Sequence, residues 1–243
     1  MQAQISLSIL GYEKELEEHM DNITHAKVFN DIQYLVNSGK LYGLHIDVMR
    51  PPFIPDKSVF TIRTIKQIYQ NFYKKINLEL HLMLAEPILF IEGIDYFIQP
   101  NNRARISVII QYEAYNQEDE IIRALRILSD LGYNVGIGFD LQTPFEKLTE
   151  KIVENSDLIF LMCVPMGKGG QKYDEQATEK IKYASKNFTG KIVEVDGGIN
   201  DKTIQFAKNA GAKVFVIGSY ITKSEKPSDV VKKIEEILTK DTN

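Results

Sequence analysis

Eight short apolar runs alternate along the chain with longer segments of helical period, and this alternation constrains the fold more than any other feature. Each run is rich in β-branched residues, and apolar residues recur every three or four positions in the segment that follows it. Such alternation is typical of βα units that build a parallel sheet. The predicted strands are residues 4–10, 42–49, 76–84, 106–111, 135–139, 158–163, 191–195 and 214–217.

Length and composition indicate how these units close. A chain of 243 residues, 44% of them apolar, matches the usual size of an eight-unit barrel. No linker or change of composition divides it, so we predict an α/β protein with a single (β/α)8 (TIM) barrel domain over residues 1–243. The first βα loop, around residues 11–30, is lengthened, and it is irregular because residues 13–30 are polar and have no clear period. We expect a helical insertion or a lid there.

Net charge limits which partners the protein can bind, and cysteine content indicates its cellular compartment. The formal net charge of −4 provides no basic field for nucleic acid or an anionic membrane. The single cysteine, Cys163, cannot form an internal disulfide, and neither a secretory leader nor a membrane-spanning run is evident. We therefore predict a cytoplasmic protein that acts on small molecules, with no nucleic-acid or membrane partner.

Three of the predicted strands end in residues that ligate metals. His45 and Asp47 are two positions apart, so their side chains point to the same face of a strand. His81 and Asp196 end two further strands, and the carboxyl ends of barrel strands carry the active site. Two imidazoles and two carboxylates suit a divalent metal, with Zn²⁺ the first choice and Fe²⁺, Mn²⁺ or Co²⁺ as alternatives.

Each of these residues also has a purely structural interpretation. A single histidine on an apolar strand is often a core residue, and Asp196 begins a turn with Gly197 and Gly198. It is the convergence of four ligand types on one rim that favours a metal site. The other two histidines, His19 and His25, lie in a polar stretch and are predicted to be solvated.

The two carboxylates also suggest proton transfer. With Asp47 and Asp196 on opposite sides of a substrate, one can remove a proton from carbon while the other returns one to the opposite face. That exchange inverts a stereocentre through an enediolate, which a bound cation would stabilise. Three methionines near strand ends either cap such a planar intermediate or belong to the core; they are Met49, Met83 and Met162.

Glycines follow the last three strands, where barrels often bind phosphate through backbone N–H groups. The segments are Gly167-Lys168-Gly169-Gly170, Gly197-Gly198 and Gly218-Ser219. Glycines are common in βα turns, but their presence on three adjacent strands favours a phosphate site. Lys168 either adds a positive charge to that site or is solvated.

Taken together, these segments resemble the ribulose-phosphate 3-epimerase family over nearly the whole chain. The matching segments are Ser6-Leu7-Ser8-Ile9-Leu10, His45-Ile46-Asp47-Val48-Met49, His81-Leu82-Met83, Met162-Cys163-Val164, Gly167 to Tyr173, Glu194-Val195-Asp196-Gly197-Gly198-Ile199 and Gly218-Ser219. The resemblance implies a barrel of the ribulose-phosphate-binding type. It also implies an isomerase that epimerises a ketose phosphate at C3 with one divalent metal, and a homo-oligomer.

The resemblance assigns roles by position. The metal ligands would be His45, Asp47, His81 and Asp196, and Asp47 and Asp196 would also be the catalytic acid and base. Residues in contact with the substrate would be Ser8, His81, Met49, Met83 and Met162. Residues facing the phosphate would be Gly169, Gly170, Gly197, Gly198, Gly218 and Ser219.

Departures from the family pattern concern the substrate more than the chemistry. Arg50-Pro51-Pro52 stands where the family usually has Asp-Gly-His, Lys168 replaces a phenylalanine, and Gln111 replaces a histidine. None is a ligand or a proton-transfer carboxylate, so we expect the chemistry to be retained. Ribulose 5-phosphate and xylulose 5-phosphate are the leading substrates, followed by allulose 6-phosphate. Arg50 and Lys168 would favour a longer or more anionic substrate.

Other functions are compatible with parts of the pattern. A non-catalytic sugar-phosphate-binding homologue would keep the same site without turnover. A decarboxylase of the orotidine-phosphate type would also bind a phosphate in a barrel, but the Asp-x-Lys of that family is missing, since Asp47 is followed by Val48 and Met49.

Overall fold

Eight parallel strands close into a barrel in the computed structural model, which describes residues 2–239. Strand order follows chain order, and β1 pairs with β8 to complete the ring. The strands are β1 Gln4–Ser8, β2 Gly43–Met49, β3 Asn77–Met83, β4 Ile106–Gln111, β5 Asn134–Phe139, β6 Leu158–Met162, β7 Ile192–Asp196 and β8 Val214–Ile217. The predicted (β/α)8 fold is confirmed.

Helices surround this barrel. Within residues 2–239 they are α1 Glu13–Glu18, α2 Lys27–Asn37, α3 Ile62–Phe72, α4 Pro87–Asp95, α5 Glu118–Asp130, α6 Glu150–Glu154, α7 Gln176–Asn187, α8 Thr203–Ala210, α9 Ser219–Thr222 and α10 Pro227–Thr239. Helix α3 shows how sequence sets their faces: Thr61 caps its first turn, and Ile65 and Ile68 are buried at helical spacing. Across the described part of the chain, no helix combines the length and the apolarity that crossing a bilayer requires.

Residues 11–30 form a short helical insertion. It contains α1, a 3₁₀ turn at Ile23–His25 and the first residues of α2. Two of its side chains, Leu16 and Ile23, are fully buried, which anchors the insertion on the barrel. The Glu17 carboxylate accepts a hydrogen bond of 2.6 Å from the Thr61 N–H, so the insertion also contacts the start of α3.

The barrel interior has two unlike halves. Side chains alternate along each strand, so every second residue points into the barrel. The apolar half, as we name it, consists of Ile109, Leu158, Phe160, Met162 and Val216. The polar half consists of Ser6, Ser8, His45, Asp47, Glu79, His81, Gln111, Glu194 and Asp196. The polar half comes mainly from strands β1–β4 and β7.

Candidate functional site

A cavity of about 240 Å³ opens at the carboxyl ends of the strands. It is lined by most of the residues that the sequence singled out: Ser8, Asp47, Met49, Met83, Met162, Gly169, Gly170, Asp196, Gly197, Gly198, Gly218 and Ser219. His45 and His81 do not line it; they are completely buried. All the predicted site residues therefore lie at the catalytic end of the barrel or just within it.

Three of the four predicted metal ligands form a compact group. Donor atoms of His45, Asp47 and His81 all lie within 4.8 Å of one another. Asp47 Oδ1 is 3.3 Å from His45 Nε2 and 3.1 Å from His81 Nδ1. The strands produce this grouping, because Asp47 and His81 are register partners on β2 and β3. The other oxygen of the carboxylate, Asp47 Oδ2, accepts a hydrogen bond of 2.9 Å from Ser8 Oγ.

The charges in this group are strongly coupled. Burial alone would raise the pKa of Asp47, but His45 and His81 outweigh it and hold the pKa of that carboxyl well below its usual value. Burial alone would lower the pKa of His45, and the neighbouring Asp47 and Glu79 carboxylates raise it well above its usual value instead. Burial prevails at His81 and lowers its pKa. Asp47 is therefore an anionic carboxylate at neutral pH.

The group fits a divalent metal. His45 Nε2 is buried yet has no hydrogen-bond partner within the described residues, and it faces the Asp47 carboxylate. Two imidazole nitrogens and one carboxylate oxygen are a donor set suited to Zn²⁺ and similar ions. Phe160 stacks on His45 with ring centroids 5.3 Å apart and packs against His81 at 4.5 Å, so it limits movement of both rings.

Asp196 stands apart from the compact group. Asp196 ends β7, which is three strands away from β2 around the barrel. It lines the same cavity as Asp47. Burial, and next the charge of Asp47, raise the pKa of Asp196 to about 7. A carboxyl with a pKa near neutrality can both take and give protons at physiological pH. The cavity thus contains one carboxylate that stays ionised, Asp47, and one carboxyl group that titrates near neutral pH, Asp196.

The three methionines both pack and line the cavity. Met49, Met83 and Met162 are at most 4% exposed, which agrees with the core interpretation. They also form part of the cavity wall, as the cap interpretation requires. Because thioethers are apolar and adaptable, the two interpretations are compatible.

Glycines at the far end of the cavity have different reasons to be glycine. At Gly198 a Cβ would lie 2.1 Å from the Tyr173 backbone nitrogen, so packing alone requires glycine there. At Gly170 the backbone φ of +76° favours glycine, whereas a Cβ would be only in ordinary contact with Lys223 Nζ at 3.8 Å and Ser219 Oγ at 4.0 Å. Lys168 and Lys223 also line the cavity and give this end a positive charge.

Arg50 does not face the cavity. Its guanidinium donates hydrogen bonds to the carbonyl oxygens of Met49 at 2.6 Å and of Val59 and Phe60 at 2.5 Å each. It also lies over the Phe90 ring, 5.6 Å from the centroid. The expectation that Arg50 selects a more anionic substrate is therefore wrong, since its charge is used to fold the loop after β2.

Gln111 contacts a predicted metal ligand. Its carboxamide nitrogen lies 2.9 Å from His81 Nε2 inside the barrel. A carboxamide carries both a donor and an acceptor, so Gln111 can serve either tautomer of His81. With glutamine instead of histidine at this position, His81 therefore still has a polar partner.

Two buried glutamates were missed from the sequence. Glu79 and Glu194 are completely buried beneath the compact group. Burial, and next the charge of Glu79, raise the pKa of Glu194 well above its usual value. Strand periodicity could have found them, because each precedes a predicted ligand by two positions and so shares its face.

Comparison with known proteins places the chain in a family. The model of the "Ribulose-phosphate 3 epimerase family" matches residues 20–222. A ribulose-phosphate 3-epimerase of Schizosaccharomyces pombe is 30% identical over 199 residues, which is 81% of this chain and 82% of that protein. A ribulose-phosphate 3-epimerase of Helicobacter pylori strain 26695 is 31% identical over 188 residues, covering 75% and 80% respectively.

Solved structures agree on the fold. The 3-hexulose-6-phosphate synthase of Salmonella typhimurium superposes with a TM-score of 0.67 at 15% identity, covering 97% of this chain and 98% of that one. The 3-keto-L-gulonate-6-phosphate decarboxylase of Vibrio cholerae gives 0.66 at 9% identity, covering 98% of each. At such identities the likeness concerns the barrel alone. The sequence relatives decide the assignment: this chain belongs to the ribulose-phosphate 3-epimerase family and is an isomerase that acts on carbohydrates.

Proposed function

We propose that this protein epimerises a ketose phosphate at C3, with ribulose 5-phosphate and xylulose 5-phosphate as the leading pair. The observation that carries the proposal is the compact group of His45, Asp47 and His81, with Asp196 on the wall of the same cavity. The names of the sequence relatives support the choice of substrate.

The residues that would hold the metal are His45, Asp47, His81 and Asp196. The first three already have their donor atoms within 4.8 Å of one another, and Asp196 would complete the set from β7. A divalent cation bound there would polarise the C2 carbonyl of the substrate and offset the negative charge that develops on its oxygens. Zn²⁺ is our first choice, with Fe²⁺, Mn²⁺ and Co²⁺ as alternatives.

Asp47 and Asp196 would move the protons. One carboxylate takes the C3 proton as the C3–H bond breaks, and the electron pair delocalises onto the C2 oxygen to give an enediolate. The carboxylic acid on the other face then protonates C3, and the C2 carbonyl forms again with C3 inverted. The ionised Asp47 and the titrating Asp196 suit these opposite roles. Ser8 would keep Asp47 oriented through its hydrogen bond.

The rest of the cavity would hold the substrate. Its phosphate would lie against the backbone of Gly170, Gly218 and Ser219, close to the ammonium groups of Lys168 and Lys223. The three methionines would cover the planar intermediate and limit access of water to C3. Such an arrangement would protect an enediolate from loss of the C4 hydroxyl or from stray protonation.

A substrate panel tests this function. The purified protein, loaded in turn with Zn²⁺, Fe²⁺, Mn²⁺ and Co²⁺, is incubated with ribulose 5-phosphate and with allulose 6-phosphate. Products are identified by NMR, and chelator-treated protein is the control. We expect conversion of ribulose 5-phosphate to xylulose 5-phosphate that stops when the metal is removed and resumes when it is restored. Binding of sugar phosphates without conversion would instead support a non-catalytic homologue.

A further inference from the structure

Glu79 lies directly beside a predicted metal ligand. Glu79 and His45 are register partners on β3 and β2, and both are completely buried. Glu79 Oε2 lies 3.3 Å from His45 Nδ1, the ring nitrogen opposite the one that faces Asp47. The two nitrogens of His45 thus face two different carboxylates.

The Glu79 carboxylate is itself held in place. Ser6 Oγ donates a hydrogen bond to the same oxygen, Oε2, from β1. A Cβ at Gly43 would lie 2.9 Å from Glu79 Oε1 and from Ser6 Oγ, so the glycine on β2 leaves room for this contact. Three strands therefore fix the position of one buried oxygen.

This contact determines which nitrogen of His45 is available. A neutral imidazole carries one proton, and the ring nitrogen without it is the one that can bind a metal. When a metal displaces one proton from the imidazolium, a carboxylate acceptor at Nδ1 keeps the remaining proton there, and Nε2 is left to bind the metal through its lone pair. Nε2 is the buried atom that lacks a hydrogen-bond partner in residues 2–239 and faces the predicted metal position.

We infer that Glu79 is a positioning residue, which fixes the tautomer and ring orientation of His45 so that Nε2 is presented to the metal. The inference rests on the proposed function, because it assigns Glu79 a role toward the metal of that site. It adds to the site a residue that touches neither metal nor substrate. Ser6 in turn orients the Glu79 carboxylate through its hydrogen bond.

Glu194 provides a matched comparison. It is equally buried and also faces His45 Nδ1, but at 3.8 Å, which is beyond hydrogen-bond length. Neither of its carboxylate oxygens has a hydrogen-bond partner among the described residues. If a buried carboxyl group beneath the ligands were all that mattered, the two glutamates would be equivalent. If the hydrogen bond to Nδ1 matters, Glu79 alone is required.

A second interpretation treats the same residues as another metal site. Donor atoms of His45, Glu79 and Glu194 also lie within 4.8 Å of one another. Metal binding at His45 Nδ1 would have to remove the proton that the Glu79 carboxylate is placed to accept. The two interpretations differ in stoichiometry: ours requires one metal per chain.

The experiment measures Zn²⁺ affinity of the metal-free protein by competition with a chelating indicator, for wild type, Glu79→Leu, Glu79→Gln and Glu194→Leu. We expect Glu79→Leu to bind about 10–100-fold more weakly, which is the usual cost of losing such a partner. Glu79→Gln keeps an oxygen that accepts the Nδ1 proton, so it should recover most of that loss. Glu194→Leu should stay close to wild type.

A spectroscopic measurement makes the test independent of any variant. In the Zn²⁺-loaded wild-type protein, long-range ¹H–¹⁵N NMR should show His45 protonated at Nδ1 and bound to the metal through Nε2. Thermal unfolding of each metal-free variant reports whether the fold is intact. A merely structural role would lower the unfolding temperature of Glu79→Leu and leave its metal affinity unchanged.

The possible results distinguish a failure of the role assigned to Glu79 from a failure of the proposed metal site. Equal losses in Glu79→Leu and Glu194→Leu, binding through His45 Nδ1, or two Zn²⁺ per chain would each overturn the role of Glu79 while leaving metal-dependent catalysis intact. A wild-type protein that binds no metal would overturn the proposed metal site itself.

Discussion

The apolar half and the polar half of the barrel interior are buried to a similar degree but are stabilised differently. Phe160 and Val216 in the apolar half are at most 1% exposed and are held by packing. His45 and Asp47 in the polar half are at most 2% exposed and are held by contacts with other polar groups. Burying a polar group costs free energy unless the group has a hydrogen-bond or charge partner. The polar half is therefore not explained by stability alone, whereas the apolar half is.

This contrast indicates which part of the barrel interior serves the function. The polar half contains the compact group, its carboxylate partners and several buried atoms without hydrogen-bond partners in residues 2–239, such as His45 Nε2 and Glu194 Oε1. A barrel filled with apolar side chains would avoid these costs. The apolar half, through Phe160, packs the two imidazoles from one side. Under the proposed function, the polar half would provide the chemistry and the apolar half would keep its side chains in place.

Removing the titrating carboxyl from the polar half should have the largest effect. We expect Asp196→Asn to lower kcat/KM for the ketose phosphate by about 10²–10⁴-fold, the usual contribution of a general acid or base. The fold should be retained, because Asn has the same shape. Steady-state kinetics and circular dichroism check both points, and near-normal turnover would show that Asp196 does not transfer protons.

Phe160→Ala tests whether the apolar half supports the polar half. We expect a loss of about 3–5 kcal/mol in the free energy of unfolding, together with weaker metal binding, because both imidazoles lose their packing partner. Phe215→Ala is the matched control, since Phe215 is equally buried but belongs to the core outside the barrel interior. Denaturant unfolding and metal titration of both variants check these expectations. An equal loss of metal affinity in Phe215→Ala would show that Phe160 has no specific role in holding the two imidazoles.

A change of pH should destabilise the polar half of the metal-free protein. The pKa of Asp196 is raised to about 7 in the fold, against 3.8 as its ordinary value, so the folded state holds an extra proton between these limits. The contribution of protonated Asp196 to the free energy of unfolding is fully present below about pH 4 and is lost as the pH rises through 7. Glu194 shifts in the same direction.

We therefore expect the unfolding temperature of the metal-free protein to fall by about 5 °C between pH 6 and pH 8. Calorimetry at the two values checks this, and the Asp196→Asn variant should show a smaller drop. A metal-free protein that becomes more stable over this interval would contradict the assigned pKa shifts.

The smallest effects come from one conservative truncation in each half. Val216→Ala should cost about 2 kcal/mol of folding free energy and change kcat little, because it removes packing alone. Ser8→Ala should lower kcat/KM about tenfold while the fold is retained, because the Asp47 carboxylate loses the hydrogen bond that orients it. Reversed results, with the stability loss at Ser8 and the kinetic loss at Val216, would break the division between the halves.

Most of the fold follows from local patterns in the sequence, and the site follows in part. Strand ends bring His45, Asp47 and His81 together as periodicity predicts, because register pairing in a parallel barrel leaves little choice. The hydrogen bond between Ser6 and Glu79 joins segments far apart in the chain, and the hydrogen bonds of Arg50 to Val59 and Phe60 depend on how the loop after β2 turns back. Spacing alone does not encode such contacts. The homo-oligomer stays a prediction.

Proton transfer by two carboxyl groups is tested most directly by following deuterium at C3 during the first turnovers in heavy water. Metal-loaded protein converts ribulose 5-phosphate well short of equilibrium, and NMR measures the label in product and in recovered substrate. Two carboxyls on opposite faces predict xylulose 5-phosphate that carries deuterium at C3, while recovered substrate keeps its proton. Substrate that gains deuterium as fast as product, or product that keeps the original proton, would contradict a site in which Asp47 and Asp196 divide the two proton transfers.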